Sequence, residues 1–133
     1  MDDSNWTESS EVAEKIIDKY YSNMDQNRIS INSFFTPSGT LSWNGHLVNS
    51  PEIQIFYDSL PASKTQILSV SAQPISSIVS SEFKSVAIFI VGKINFANYP
   101  KSKIFHDNLI VMKDNTDELW KILSSTFRFI SES

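Results

Sequence analysis

LSWNGHLVNSPEIQIFYDSLP, residues 41 to 61, carries three structural signals in succession. Asn44-Gly45 is a hairpin signal, because both central residues of a type I′ turn need positive φ, which asparagine and glycine tolerate best. It joins a strand read over Gly39-Thr-Leu-Ser-Trp43 to a return strand at His46-Leu-Val48. Asn49-Ser50-Pro51-Glu52 then reads as a helix start, a capping residue with proline at the first helical positions. Ile53, Phe56, Tyr57 and Leu60 recur at helical spacing and give this helix a buried face, and Pro61 ends it. A short hairpin running straight into a short helix is a divider, and the chain differs on its two sides.

Upstream the period is helical. Val12, Ala13, Ile16, Ile17, Tyr20, Tyr21 and Met24 form the stripe of an amphipathic helix, with Thr7, Ser9 or Ser10 as its cap and a break at Asp25 to Asn27. Trp6 precedes that cap and reads as a staple against the helix or a contact for a partner. Ile29 to Phe35 is a second, shorter helical segment, stopped by Thr36-Pro37. Downstream the period is two. Thr65 to Pro74, Phe83 to Phe96, Ile104 to Lys113 and Leu119 to Ile130 read as four long strands rich in Ile, Val and Phe. Pro74 to Ser81 and Asn98 to Lys101 read as loops, and Asp114 to Asp117 as a hairpin turn. Three helices and a small hairpin, then a meander of strands, predict an α+β fold with helices packed on a curved antiparallel sheet.

The 133 residues fit one domain over 1–133, with its core at about 9–130. Hydrophobic residues at 41% and charged residues at 20% describe a chain that folds. A net charge of -4 argues against electrostatically driven nucleic-acid binding, which needs clustered Lys and Arg. The absence of cysteine excludes disulfides, thiol nucleophiles and thiolate metal sites. The start MDDSNWTESSE lacks the positive end and apolar run of a signal peptide, and no apolar run reaches the ~18 residues of a membrane span.

The last strand poses a question. In alternation it would set Leu119, Lys121, Leu123, Ser125, Phe127 and Phe129 on one face and Trp120, Ile122, Ser124, Thr126, Arg128 and Ile130 on the other. Arg128 stands between two phenylalanines. Phe83 to Phe96 is also apolar on both faces, with Ile88, Ile90 and Ile94 against Ala87, Phe89 and Val91. Either two layers and a cavity hide both faces, or the second face meets a partner. Arg128 accordingly reads either as a strand-end charge reaching solvent or as a group held for a partner's acid.

The order of elements resembles the nuclear transport factor 2-like fold, a cone-shaped α+β fold whose curved sheet wraps its helices. Residues carry the resemblance over roughly 9 to 130. KYYSNMD, residues 19–25, is similar to the family's first-helix end. Residues 41–61 resemble the hairpin and helix of the small-subunit branch, and Gln73-Pro74 and the WKI and FRF of the last strand fit the same branch. That branch is the nuclear transport factor 2-related export proteins, small subunits of the bulk mRNA export receptor. The resemblance implies a non-enzymatic subunit that heterodimerises through its sheet face with the large receptor subunit. It would shuttle between nucleus and cytoplasm and reach nuclear pores through that partner, with no cofactor and no direct nucleic-acid or membrane contact. In this family the arginine of the FRF motif, here Arg128, reaches an acidic residue across the interface. An arginine suits that role because its planar fork holds a carboxylate bidentately. Alternation puts Thr126, Ser124 and Ile122 on the face of Arg128, and matching the family's register adds Phe89, His106, Asn108 and Ile110 to the interface, of standard size on the order of 1,600 Å².

The fold also hosts enzymes and homodimeric carriers. Asp18, Tyr20, Tyr57, His46, His106 and Asp107 are the candidates for acid-base chemistry. His106 and Asp107 point to opposite faces of a strand and cannot act as one unit, and no spacing of histidine and carboxylate suggests a metal site. The founding transport factor binds Ran through an acidic cluster on the loop after its glycine-bearing strand. The corresponding GKINFANYPKSK, residues 92–103, has no acid and lysines near both ends, a departure that speaks against Ran binding. Trp43, Trp120, Tyr20, Tyr21, Phe34, Phe35, Phe56 and Tyr57 are assigned to the core.

Overall fold

The computed structural model describes residues 3–75, 83–114 and 118–132. A long helix α1 (Asp3–Gln26) is followed by a 3₁₀ segment (Arg28–Phe34), strand β1 (Phe35–Trp43) and strand β2 (His46–Asn49). A 3₁₀ turn (Ser50–Glu52) leads into helix α2 (Ile53–Asp58). Four long strands follow: β3 (Ser63–Ile75), β4 (Phe83–Phe96), β5 (Lys103–Asp114) and β6 (Trp120–Glu132). They form one six-stranded sheet in the order β2-β1-β6-β5-β4-β3. The expected α+β architecture is present, with α1 and α2 on one side of the sheet.

Local corrections have physical causes. Helix α1 does not start at Thr7, Ser9 or Ser10. No glycine or proline interrupts residues 3–26, so nothing stops the helix earlier. Trp6 therefore lies within the helix instead of before it, and Ser9 is buried in its wall. The short second helix is 3₁₀ throughout. The sheet is mixed rather than antiparallel, because β1 pairs with β6 in parallel. Periodicity reports that a segment is a strand but not which strand lies beside it. Pro37 sits within β1 where the pairing to β6 is irregular, between Phe35↔Ile122 and Thr40↔Ser124, so its missing N–H costs no regular ladder bond. The expected loop at 74–81 and turn at 114–117 fall largely outside the described residues.

The stripe on α1 is buried as expected, from Val12 to Met24, and it faces the inward rows of the sheet. At the centre, Phe127 is sandwiched between Trp43, stacked at 4.1 Å, and Phe105, stacked at 4.5 Å. One glycine makes this possible. A Cβ on Gly92 would lie 2.5 Å from the Phe105 ring and 2.9 Å from the Gln66 carbonyl, so the strand can approach that ring only without a side chain.

Candidate protein interface on the outer sheet face

Register assembles the outer face row by row. Arg128 pairs with His106, and His106 with Val91. Next come Thr126, Asn108 and Phe89, then Ser124, Ile110 and Ala87. Seven of the eight residues assigned to this face from the sequence therefore form one contiguous grid across β4, β5 and β6. Phe89 is 44% and Val91 37% exposed, large apolar side chains standing on an outward sheet surface. Leu47, on β2, extends the row through Ser42 to Thr126 and is 63% exposed.

Ile122 is the exception. It does not share a face with Arg128; it is fully buried in the core. The cause is a bulge. Ile110 pairs with Ser124 but Val111 pairs with Ile122, so Leu123 is an extra residue in β6. One inserted residue turns everything beyond it to the opposite side. Leu123 is left on the surface and Ile122 points inward.

Arg128 is exposed, and among the described residues it has neither a hydrogen bond nor an ion pair. Its backbone is nevertheless fixed. The Asn44 amide donates to the Phe127 carbonyl at 2.8 Å, and the Phe129 amide donates to Asn44 Oδ1 at 2.8 Å. The hairpin turn thus grips β6 on both sides of Arg128, with Asn44 at φ 52° and Gly45 at φ 89°, as a type I′ turn requires. The Arg128 guanidinium passes close to the turn, 3.8 Å from where a Cβ on Gly45 would be. The sequence exposed the turn but not this clamp, whose partners lie 85 residues apart. Asn44→Ala removes the clamp and puts a side chain that disfavours positive φ at that position. We expect it to cost about 1–2 kcal/mol in urea unfolding. A loss under about 0.3 kcal/mol would show that the turn merely touches β6.

The interior holds the other polar cluster. Asp107 is buried and accepts hydrogen bonds from the Tyr21 hydroxyl at 2.5 Å and the Ser125 hydroxyl at 2.8 Å. Burial pushes its carboxyl up to about 6, against the pull of those two donors. Tyr20 and Tyr57 share a hydroxyl–hydroxyl bond of 2.7 Å, and burial pushes both phenols up. The fold therefore gathers Tyr20, Tyr57 and Asp107, and adds Tyr21 and Ser125, which the sequence did not suggest. It does not bring the other candidates there. Asp18 is exposed on α1, His46 is exposed beside Phe56, and His106 belongs to the outer face. Among the described residues, no three His, Asp or Glu side chains are grouped to hold a metal ion.

Comparison with known proteins accounts for most of the chain. The model of the nuclear transport factor 2 (NTF2) domain matches residues 12–129. NTF2-related export protein 1 of Bos taurus is 32% identical, covering 89% of this chain and 86% of that one. NTF2-related export protein 2 of Homo sapiens is 29% identical, over 89% of this chain and 84% of its own. Among solved structures, nuclear transport factor 2 from Cryptosporidium parvum superposes with a TM-score of 0.76 at 16% identity, over 92% of this chain and 94% of that chain.

Proposed function

The chain belongs to the nuclear transport factor 2 domain family, and we propose that within it this protein is a non-enzymatic subunit acting in nuclear mRNA export. It pairs through its outer sheet face with the NTF2-like domain of a larger export receptor. The observation that carries this reading is Arg128: a solvent-facing guanidinium on a clamped stretch of backbone, without a partner among the described residues, set in a surface that also exposes Phe89 and Val91. Apolar area of this kind supplies affinity when it meets a matching sheet, and the arginine selects a partner that offers a carboxylate. Relatives named as export proteins point the same way. So does the interior, where the Asp107 carboxylate is buried and held by the Tyr21 and Ser125 hydroxyls rather than open to solvent.

Pairing of two copies by a twofold axis passing near Arg128 would juxtapose like charges there, which favours the heterodimer. The test is co-expression with the NTF2-like domain of an mRNA export receptor, followed by mass measurement of the eluted species. We expect a one-to-one complex, weakened about 30-fold (about 2 kcal/mol) by Arg128→Glu. A complex of unchanged affinity in that variant, or a tight homodimer with no heterodimer, would overturn the reading.

A further inference from the structure

Strand β3 is the last strand of the sheet, and among the described residues it pairs only with β4. Its other edge is closed at the start, where Asp25 accepts from the Ser63 hydroxyl, the Thr65 amide and the Thr65 hydroxyl at 2.7, 2.7 and 2.9 Å. Those bonds show that the Thr65 amide points away from β4. Beyond Ile67 a bulge at Leu68 reorders the pairing, and the strand then continues to Pro74 and Ile75. Leu68 is 50% and Val70 44% exposed, so this stretch is an open apolar edge of the kind that natural sheets cover or blunt. Pro74 does blunt it, at its far end, since proline offers no donor.

Beside that edge runs a groove of about 430 Å³ between β3 and α1. Ala13, Ile17, Ile67 and Val70 form its apolar floor, and Glu14 and Asp18 line its helical wall. Both carboxylates are exposed, and among the described residues neither has a hydrogen bond or an ion pair. The lysines of this helix, Lys15 and Lys19, share a neighbouring surface groove with Glu14 and Asp18, but neither lysine lines the groove beside β3. An open strand edge, an apolar floor and an acidic wall together specify an occupant.

We propose that the β3 edge docks an extended segment of a partner protein by strand addition, with aliphatic side chains on Ile17 and Val70 and a lysine or arginine two residues along facing Glu14 and Asp18. Main-chain pairing supplies affinity in this mode, and alternate side chains supply specificity. The surface is distinct from the outer face that carries Arg128, which lies on β6, three strands away in the sheet. The proposal therefore stands or falls independently of the heterodimer.

The test titrates the ¹⁵N-labelled full chain with the synthetic peptide GTVTKTVTG and with GTVTETVTG, in which glutamate replaces the lysine. The expected result is a dissociation constant on the order of 100 μM for the lysine peptide, at least tenfold weaker binding of the glutamate peptide, roughly 1.4 kcal/mol, and amide shifts confined to residues 67–72 and 13–18. Glu14→Lys combined with Asp18→Lys changes only exposed groups and is expected to reverse the preference. Binding absent to about 1 mM, equal binding of the two peptides, or shifts centred on Phe89 and Arg128 would each overturn the proposal.

Discussion

Asp107→Asn is expected to stabilise the protein by roughly 3 kcal/mol at pH 7.5, and the gain should vanish as pH falls toward 4. The ordinary value of 3.8 for this carboxyl is raised by burial to about 6 in the folded chain. The folded state therefore holds a proton on Asp107 that the unfolded state has already lost between those values. Stability from this group is complete below about pH 4 and declines as pH rises through 6, because more protons are bound folded than unfolded. The rise from 3.8 to about 6 corresponds to roughly 3 kcal/mol. Asparagine keeps the shape, accepts from one of the two hydroxyls through Oδ1 and donates to the other through Nδ2. It has no charge to desolvate. The measurement is the difference in urea unfolding free energy between the variant and the parent at steps from pH 4 to pH 8, which cancels the titration of carboxylates common to both. A flat difference, or a variant less stable at pH 7.5, would show that Tyr21 and Ser125 fully compensate the buried charge.

The position of Asp107 illustrates what the sequence could not express. Alternation placed it opposite His106, correctly, and thus inside if His106 is outside. It did not supply the partners. Tyr21 is 86 residues away and Ser125 is 18 residues away on the adjacent strand, so no local spacing pairs the acid with either hydroxyl until the sheet is assembled. Ile122 failed for a different reason. Period-two patterning fixes a face only while each residue opposes one neighbour, and the apolar Leu123 gave no sign that it was the extra residue. The four strands, the helical stripe and the Asn44-Gly45 turn were legible because each is a local pattern whose physics is complete within a few residues. The outer-face grid was legible in its members, apart from Ile122. The clamp on Arg128 was not, since it joins a turn to a strand through contacts that no spacing encodes.

Arg28 carries the same lesson into stability, and its removal should have the other large effect. Its Nε donates to the Met24 carbonyl at 2.8 Å. Nη1 donates to the carbonyls of Tyr57 and Leu60 at 2.6 and 2.7 Å, and Nη2 to that of Pro61 at 2.7 Å. The acceptors are carbonyls at or beyond the C-terminal ends of α1 and α2, groups that helix geometry leaves without partners. One planar fork therefore closes two helix ends and fixes the chain where it enters β3. Asp25, three residues earlier, binds the first residues of that strand from the other side. Methionine at position 28 would preserve much of the aliphatic packing and remove the side-chain donors from all four carbonyls, of which that of Tyr57 keeps the Leu60 amide at 3.0 Å. Charge-assisted bonds of this kind are worth more than neutral ones, but they share one side chain and are partly exposed, so the loss is less than their sum. We expect Arg28→Met to cost about 3 kcal/mol and lower the unfolding midpoint by roughly 10 °C. Arg28→Lys keeps the charge but loses the fork, and should recover no more than about a third of the loss. Thermal unfolding of the three proteins separates geometry from charge. Full recovery by lysine would mean that the positive charge beside the helix ends stabilises the fold, and that the four directed bonds add nothing beyond it.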